Sequence, residues 1–425
     1  MGKKDLRGHI QNLAIAVLSL SALFLLTQLP LLHNIPLFHR VPSLFSPSPV
    51  SAGREEGALP AAMFSSVNLM VTGDGEYRRN GRLCVSAGDP ELLQYIIPLF
   101  QEALGSAGSL EQSPDGGFRA ALNGPGLYLE LGGALPLEAA AAWLGMEEPL
   151  NFNLRLRAMA LTTGGEEDVS LYLLEEGGGI FRCATALPVS ALGSICEKYL
   201  PNGANFAFET AHSGLEPYAI LTADSGGPLP DIQAELPAGY SAYNLLTALD
   251  FNAHTLSRYT ESSGAEVVEE TPRTLRIAPD GTVSLNSRWE TASPLYQASG
   301  QGLREILAAA WRLASALTAG TGASPVYLHT VEETESGYTL RFRYQAEGVP
   351  VLFPDAGDAL SVVYQNGVVT SFTYRCRVYE ALEGEPAAML PASMAQAIAA
   401  ASPGSSLSIG YADDGSGQLA AQWLR

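Results

Sequence analysis

Residues 360–379 read LSVVYQNGVVTSFTYRCRVY, and this stretch indicates the fold of the C-terminal part of the chain. Asn366-Gly367 separates two runs rich in β-branched and aromatic residues, and Asn-Gly is the strongest short signal for a β-hairpin. Upstream, residues 337–353 read GYTLRFRYQAEGVPVLF. Apolar residues alternate with polar ones there, which predicts a strand with one buried face. The apolar set is Tyr338, Leu340, Phe342 and Tyr344.

Helices are expected between such hairpins. From Leu303 the apolar residues recur with a helical period, and Gly320 is expected to end that helix. Asp89 is a good N-cap for a helix that continues through Phe100. The segment Phe118–Leu131, in contrast, is expected to form strands. Antiparallel strands interleaved with helices predict an α+β fold.

The N-terminal part predicts a membrane anchor. Residues 13–27 read LAIAVLSLSALFLLT without a charge, and the apolar stretch is long enough to span a bilayer within residues 10–32. The basic tip, residues 1–9, should stay in the cytoplasm and the bulk outside. A cleaved signal peptide is the alternative, but no small-residue cleavage pattern follows the apolar run. Residues 33–60, rich in proline and serine, are expected to form an extended stalk.

Beyond the stalk, three extracytoplasmic domains are expected: an N-terminal α+β domain at 61–205, a middle domain at 206–320 and a C-terminal α+β domain at 321–425. One face of the membrane helix is a candidate contact for another membrane helix, because small and polar residues allow close helix approach in lipid. That face contains Ala14, Ser21 and Gln28, which recur every seven residues.

Composition excludes several functions. The net charge of −20 makes polyanions poor partners, so a nucleic-acid role is not expected. The four cysteines show no metal-ligand spacing, which leaves either buried thiols or disulfides of unassigned pairing. Residues 224–229 (DSGGPL) and the nearby His212 imitate a serine protease, but serine and histidine are too close in sequence for that fold. No catalytic, cofactor-binding or metal-binding residues are therefore predicted.

Two segments carry a resemblance to a known family. Residues 257–285, SRYTESSGAEVVEETPRTLRIAPDGTVSL, contain the pattern y-x-e-x-x-G…L-x-I-x-x-D-G. Residues 337–379 contain Y-x-f-x-y-x-x-x-G-x-P-V…v-x-x-G-x-v-x-s-f, and the chain ends in QLAAQWLR at 418–425. In these motifs and in the order of its elements, the chain resembles the YycH/YycI-type accessory proteins of the WalK sensor histidine kinase of Gram-positive bacteria. Length and domain order are YycH-like, and the last domain also resembles YycI and PepSY-like domains.

The resemblance implies a membrane-anchored regulator that is not an enzyme. Its expected partner is a membrane sensor histidine kinase in a system that controls cell-wall homeostasis, and a second anchored YycI-like protein is a further candidate partner. A different class, an extracytoplasmic receptor that senses a wall fragment, remains the alternative and predicts a deep pocket with aromatic residues and a few convergent polar groups. The sequence leaves open whether the partner is activated or inhibited, which ligand is bound, and where on the ectodomain a partner docks.

Overall fold

The computed structural model of the chain describes residues 59–75, 78–146, 152–163, 168–210, 215–222, 229–254, 257–287, 293–354, 357–385, 387–399, 401 and 408–424. Residues 56–425 form one compact unit. The expected anchor at 10–32, with its contact face Ala14, Ser21 and Gln28, lies outside the described residues. In the part of the chain that is described, no helix combines the length and the apolar character needed to cross a membrane.

A seven-stranded antiparallel sheet forms the first half of the unit. Its spatial order is β2-β1-β4-β5-β6-β7-β3. The strands are Val67–Thr72 (β1), Arg79–Val85 (β2), Glu111–Gln112 (β3), Gly126–Pro136 (β4), Arg155–Thr162 (β5), Asp168–Glu175 (β6) and Ile180–Pro188 (β7). Strands β6 and β7 form a hairpin and are joined by a short loop.

Two small sheets follow. Asn205–Phe206 (β8) pairs with Ile220–Leu221 (β9) over the first sheet. Ile232–Glu235 (β10) is the central strand of a three-stranded sheet, whose outer strands come from the end of the chain.

An eleven-stranded sheet forms the second half. Its strands are Arg258–Thr260 (β11), Glu266–Glu270 (β12), Arg273–Ile277 (β13), Thr282–Ser287 (β14), Val326–Thr334 (β15), Gly337–Ala346 (β16), Val349–Leu352 (β17), Leu360–Gln365 (β18), Val368–Arg375 (β19), Ser408–Ala412 (β21) and Gln422–Leu424 (β23). The strands that flank β10 are Val378–Ala381 (β20) and Gln418–Leu419 (β22). The pairings between these strands are antiparallel except that of β17 with β21, which is parallel. The two motif segments of the sequence meet here, because β14 pairs with β19.

Seven α-helices accompany the sheets in the described residues. They are Ile97–Gly105 (α1), Asp115–Ala121 (α2), Leu137–Trp143 (α3), Val189–Cys196 (α4), Ala242–Ala248 (α5), Leu303–Thr321 (α6) and Ala392–Ala399 (α7). A π-helical turn, Leu92–Ile96, leads into α1, and three short 3₁₀ helices are Ala61–Met63, Ala207–Glu209 and Pro294–Tyr296. The architecture is α+β with antiparallel sheets, as expected, whereas the three domain boundaries stay a prediction.

The two motif strands fold as the sequence predicts. Asn366 and Gly367 both have positive φ, at 51° and 80°, which is the backbone that a tight hairpin turn requires. In β16 the expected apolar face is buried at Leu340, Phe342 and Tyr344, and it packs into the large core that spans both halves of the unit.

Helix α6 is confirmed with one correction at its end. Its apolar stripe is buried, but the helix continues through Gly320 to Thr321. Gly322, in the left-handed region at φ 74°, follows the last turn and donates its N–H to Thr318 O at 2.8 Å. Gly320 serves packing, because a Cβ there would lie 2.3 Å from the Cβ of Ala248 in α5.

The strand prediction for residues 118–131 is wrong in its first part. Phe118 lies in α2, and only residues from Gly126 onward form strand β4. Phe118 is fully buried between the rings of Tyr172 and Tyr218, with centroids 4.9 and 5.0 Å away. A helix of two turns shows too few apolar repeats to be distinguished from a strand by period.

Candidate functional site

A cleft of about 410 Å³ opens where the seven-stranded and eleven-stranded sheets meet. Strands β1, β2 and β4 form one wall, and residues of β15, β16, β17, β21 and β23 form the other. The sheets approach closely at its base, because a Cβ on Gly133 of β4 would lie only 2.4 Å from the carbonyl oxygen of His329 in β15. A side chain at that glycine would force the strands apart.

Three neighbouring strands bring polar groups together on the first wall. Asn68 of β1 faces Glu130 of β4 across the ladder, and its Nδ2 donates to Glu130 Oε2 at 3.0 Å. Its Oδ1 accepts the backbone N–H of Cys84 in β2, also at 3.0 Å. Asn68 therefore holds the Glu130 carboxylate and the β2 backbone in fixed positions beside the cleft.

Cys84 has an unusual backbone for a β-strand residue. The register of β1 and β2 shifts between Val67 and Leu69, so that two residues of β2 lie opposite one of β1. This bulge places Cys84 at φ 55°, in the left-handed region that non-glycine residues rarely adopt. Such positions occur often at functional sites.

Charged groups line the cleft on several sides. Arg157 of β5 forms an ion pair with Glu216, which belongs to the covering segment, the described residues 205–210 and 215–222 around β8 and β9. On the opposite wall Arg343 lies 3.6 Å from Asp358, whose side chain is almost fully buried. Burial raises the pKa of the Glu130 carboxyl, and the hydrogen bond from Asn68 opposes that rise only in part.

Apolar side chains form a large share of the remaining lining. They come from the β2 edge, the covering segment and the opposite wall: Leu83, Ile220, Leu221, Pro350, Leu352 and Ile409. A concave apolar surface with a few fixed polar groups is typical of small-molecule sites, and the volume falls within their usual range. The cleft is thus the described feature that best fits a binding site.

The sequence-based candidates do not fall within the described part of the chain. Ala14, Ser21 and Gln28 lie outside the described residues, as do His212 and the segment 224–228. The described residues contain no cluster of three or more side chains that could hold a metal ion. Glu130 was missed because it is a single acid in an apolar run, GLYLEL at 126–131; the signal was a charged residue on a strand pattern.

All four cysteines are free in the structure, and they differ in access. Cys183, Cys196 and Cys376 are buried, whereas Cys84 is partly exposed and lines the cleft. Burial raises the pKa of the Cys84 thiol to about 11, and the nearby negative charge of Glu130 adds to this. Cys84 is therefore accessible but weakly reactive at neutral pH.

We expect iodoacetamide to modify Cys84 first in the folded chain. Because the thiolate reacts, the rate should rise about tenfold per pH unit from pH 7 to pH 10. Peptide mass spectrometry after timed labelling measures this rate, and Cys84→Ser is the control that should leave the native protein almost unlabelled. Earlier modification of one of the three buried cysteines would contradict the expected access.

Comparison with known proteins identifies the fold. No protein-family model matches the sequence, and no curated protein matches it. Among solved structures, YycH from Bacillus subtilis is similar, with a TM-score of 0.52 and 10% sequence identity. The similarity covers 87% of this chain and 95% of that one, so it includes both large sheets and not an isolated motif. The resemblance noted in the sequence is confirmed at the level of three-dimensional structure: this chain has the YycH fold.

Proposed function

We propose that the chain is a membrane-anchored, extracytoplasmic regulator of a two-component sensor histidine kinase of the WalK type, acting in cell-wall homeostasis. The observation that carries the proposal is the similarity to YycH over nearly the whole length of both chains. The motif segments support it, because they form adjacent strands β14, β16, β18 and β19 of one sheet.

The proposed mechanism is a shift of the kinase between its conformations. A regulator that binds one conformation more tightly than another changes their populations by no more than that difference in affinity. The apolar segment 10–32 keeps the regulator beside the kinase as a single-pass anchor with a cytoplasmic N-terminus. A second anchored, YycI-like protein is a further proposed partner. Contacts through Ala14, Ser21 and Gln28 would add to those made outside the membrane.

Deletion of residues 1–35, with secretion supplied by a cleavable signal peptide, is expected to abolish control of the kinase. The measurement is kinase autophosphorylation in membranes that contain the kinase with either the full chain or the deleted chain. A soluble ectodomain that regulates as well as the full chain would contradict the role of the membrane segment.

Two further variants distinguish a helix that only tethers the protein to the membrane from a helix that contacts the kinase. In one, an unrelated transmembrane helix of equal length replaces residues 10–32. In the other, Ala14→Leu, Ser21→Leu and Gln28→Leu are combined, which keeps the segment apolar but removes the small and polar face. Loss of control in both chains supports a specific helix contact, whereas normal control in both means that the helix serves only as a tether.

A ligand-binding receptor is the second candidate function, and the cleft favours it. A lining of apolar residues around Asn68 and Glu130 is the arrangement that this function predicts. The two functions are compatible, since a ligand that stabilises one form of the ectodomain would change the form presented to a kinase.

A further inference from the structure

The Glu130 carboxylate is the least compensated charge of the cleft. It accepts a hydrogen bond from the neutral amide of Asn68, and no ion pair joins it to an arginine among the described residues. The other acids that line the cleft, Glu216 and Glu176, pair with Arg157 and Arg155 respectively. Arg343 across the cleft pairs with Asp358, which it shares with Arg341.

A partly buried carboxylate without a cationic partner is less well solvated than one on the open surface. Burial raises the pKa of Glu130, which shows that the charged form is disfavoured where it stands. Arg157 is near enough to act on Glu130 electrostatically, but Glu216 holds its guanidinium. A cationic group that enters the cleft would therefore give Glu130 a charged partner that no side chain of the described chain provides by direct contact.

We propose that the cleft binds a ligand with a primary ammonium group, which forms a charge-assisted hydrogen bond with the Glu130 carboxylate. Because Asn68 already donates to Oε2 of Glu130, the carboxylate does not offer two free oxygens to a planar guanidinium, whereas a compact ammonium group needs only one. Asn68 positions the carboxylate, and apolar residues such as Leu83, Leu221 and Ile409 contact the body of the ligand. This proposal rests on the second candidate function, that of a receptor.

The cavity volume limits the ligand to a small one. At about 410 Å³ the cleft has room for a short peptide or an amino-bearing fragment but not for a folded partner. A primary ammonium group could come from a peptide amino terminus or from a lysine-type side chain. The shared chemistry is the ammonium group, and the experiment distinguishes the two sources.

The test uses three probes with the purified full-length chain in detergent. Trialanine amide has a free α-ammonium group, Nα-acetyl-lysine amide has a side-chain ammonium group, and N-acetyl-trialanine amide has none. Binding is measured by calorimetric titration at pH 7. One of the two ammonium probes is expected to bind at least tenfold more tightly than the neutral probe. The identity of that probe shows whether the ammonium group comes from a peptide amino terminus or from a lysine-type side chain.

Glu130→Gln keeps the shape of the side chain and removes its charge. It is expected to weaken binding of the preferred ammonium probe about tenfold or more, with little effect on the neutral probe. Glu111→Gln, on the exposed strand β3 at the far edge of the same sheet, is the matched control and should bind like the original chain. Equal affinity of Glu130→Gln and the original chain for the ammonium probes would overturn the proposal.

Protection of Cys84 from iodoacetamide at pH 8.5 distinguishes failure of the ammonium proposal from failure of the receptor function on which it rests. If the neutral peptide protects Cys84 as well as the ammonium probes do, the cleft is a receptor site and the ammonium proposal fails. If no probe protects Cys84 or binds at ~10 mM, both fail. The comparison of probes on the original chain does not depend on how well a variant folds.

Discussion

Replacement of Arg79 by alanine is expected to lower the free energy of unfolding by about 3 kcal/mol, because it removes one partner of a largely buried ion pair and leaves the other uncompensated. Arg79 of β2 is 8% exposed and forms an ion pair with Glu209. It also donates to Asn123 Oδ1 at 2.8 Å, and its guanidinium lies 5.2 Å from the centroid of the Phe206 ring. Alanine would leave Glu209, whose side chain is 25% exposed, without its cation.

The effect reaches the cleft, because Arg79 holds the covering segment on the first sheet. Glu209 accepts the backbone N–H of Phe206 at 3.0 Å, and Phe206 of β8 pairs with Ile220 of β9, which lines the cleft. Loss of the Arg79–Glu209 ion pair should therefore loosen the covering segment beside the cleft as well as reduce stability. Urea unfolding followed by tryptophan fluorescence measures the first effect, and the labelling rate of Cys84 measures the second.

Arg82→Ala on the same strand is the matched control. Arg82 pairs with Glu91 at 2.9 Å, but the Glu91 side chain is 59% exposed, and exposed pairs contribute about 0–1 kcal/mol. The double variant Arg79→Met with Glu209→Gln removes both charges, and it should recover much of the stability that the single change loses. A single Arg79→Ala variant as stable as Arg82→Ala would show that the Arg79 pair does not anchor the segment.

Acidification is expected to destabilise the fold through His329. Burial and then the positive charge of Arg343 lower the pKa of this histidine from 6.5 to about 4. In the folded chain the neutral form is favoured, so that between pH 6.5 and pH 4 the unfolded chain binds more protons. Stability is therefore intact above pH 6.5 and falls on acidification through this window, by about 3 kcal/mol in total.

His329→Gln should remove most of this acid dependence. Glutamine cannot be protonated, so the difference in unfolding free energy between pH 7 and pH 4.5 should shrink relative to the original chain. His254→Gln, on an exposed loop, is the control, because it removes a histidine without removing a buried one. Thermal unfolding at several pH values provides the measurement, and identical pH profiles for the original chain and His329→Gln would contradict the assignment.

The Glu130 carboxyl changes stability with pH in the opposite direction to His329. Because the pKa of its carboxyl is raised, the folded chain favours the protonated form, and the cost of the charge is present at neutral pH and disappears in acid. Glu130→Gln is therefore expected to be at least as stable as the original chain at pH 7. A carboxylate that lowers stability where it stands is consistent with a role in binding.

Local patterns in the sequence were sufficient for the elements whose burial follows a regular period. The Asn366-Gly367 hairpin formed as expected, since only residues tolerant of positive φ fit a two-residue turn. The stripe of α6 is buried along its whole length for the same kind of reason, because seven apolar residues at helical spacing leave one face for the core. These elements depend on neighbours in sequence.

Other features depend on residues that are distant in sequence. Gly320 looked like a helix end, but its role is set by Ala248, which packs against it from α5. Phe118 looked like a strand residue, but Tyr172 and Tyr218 enclose it on a short helix. Neither partner can be inferred from local spacing.

By itself the sequence determined the α+β class, the strongest hairpin, the long buried helix, the acidic character of the chain and the expectation of an N-terminal anchor. Only the tertiary structure decided that Asn68, Cys84 and Glu130 share one cleft, because three strands from separate stretches must pair before these side chains meet. It likewise decided the environment of His329, whose low pKa results from burial and from Arg343 on the adjacent strand. Period and turn chemistry act over a few residues, whereas desolvation and charge pairing depend on what the folded chain brings into contact.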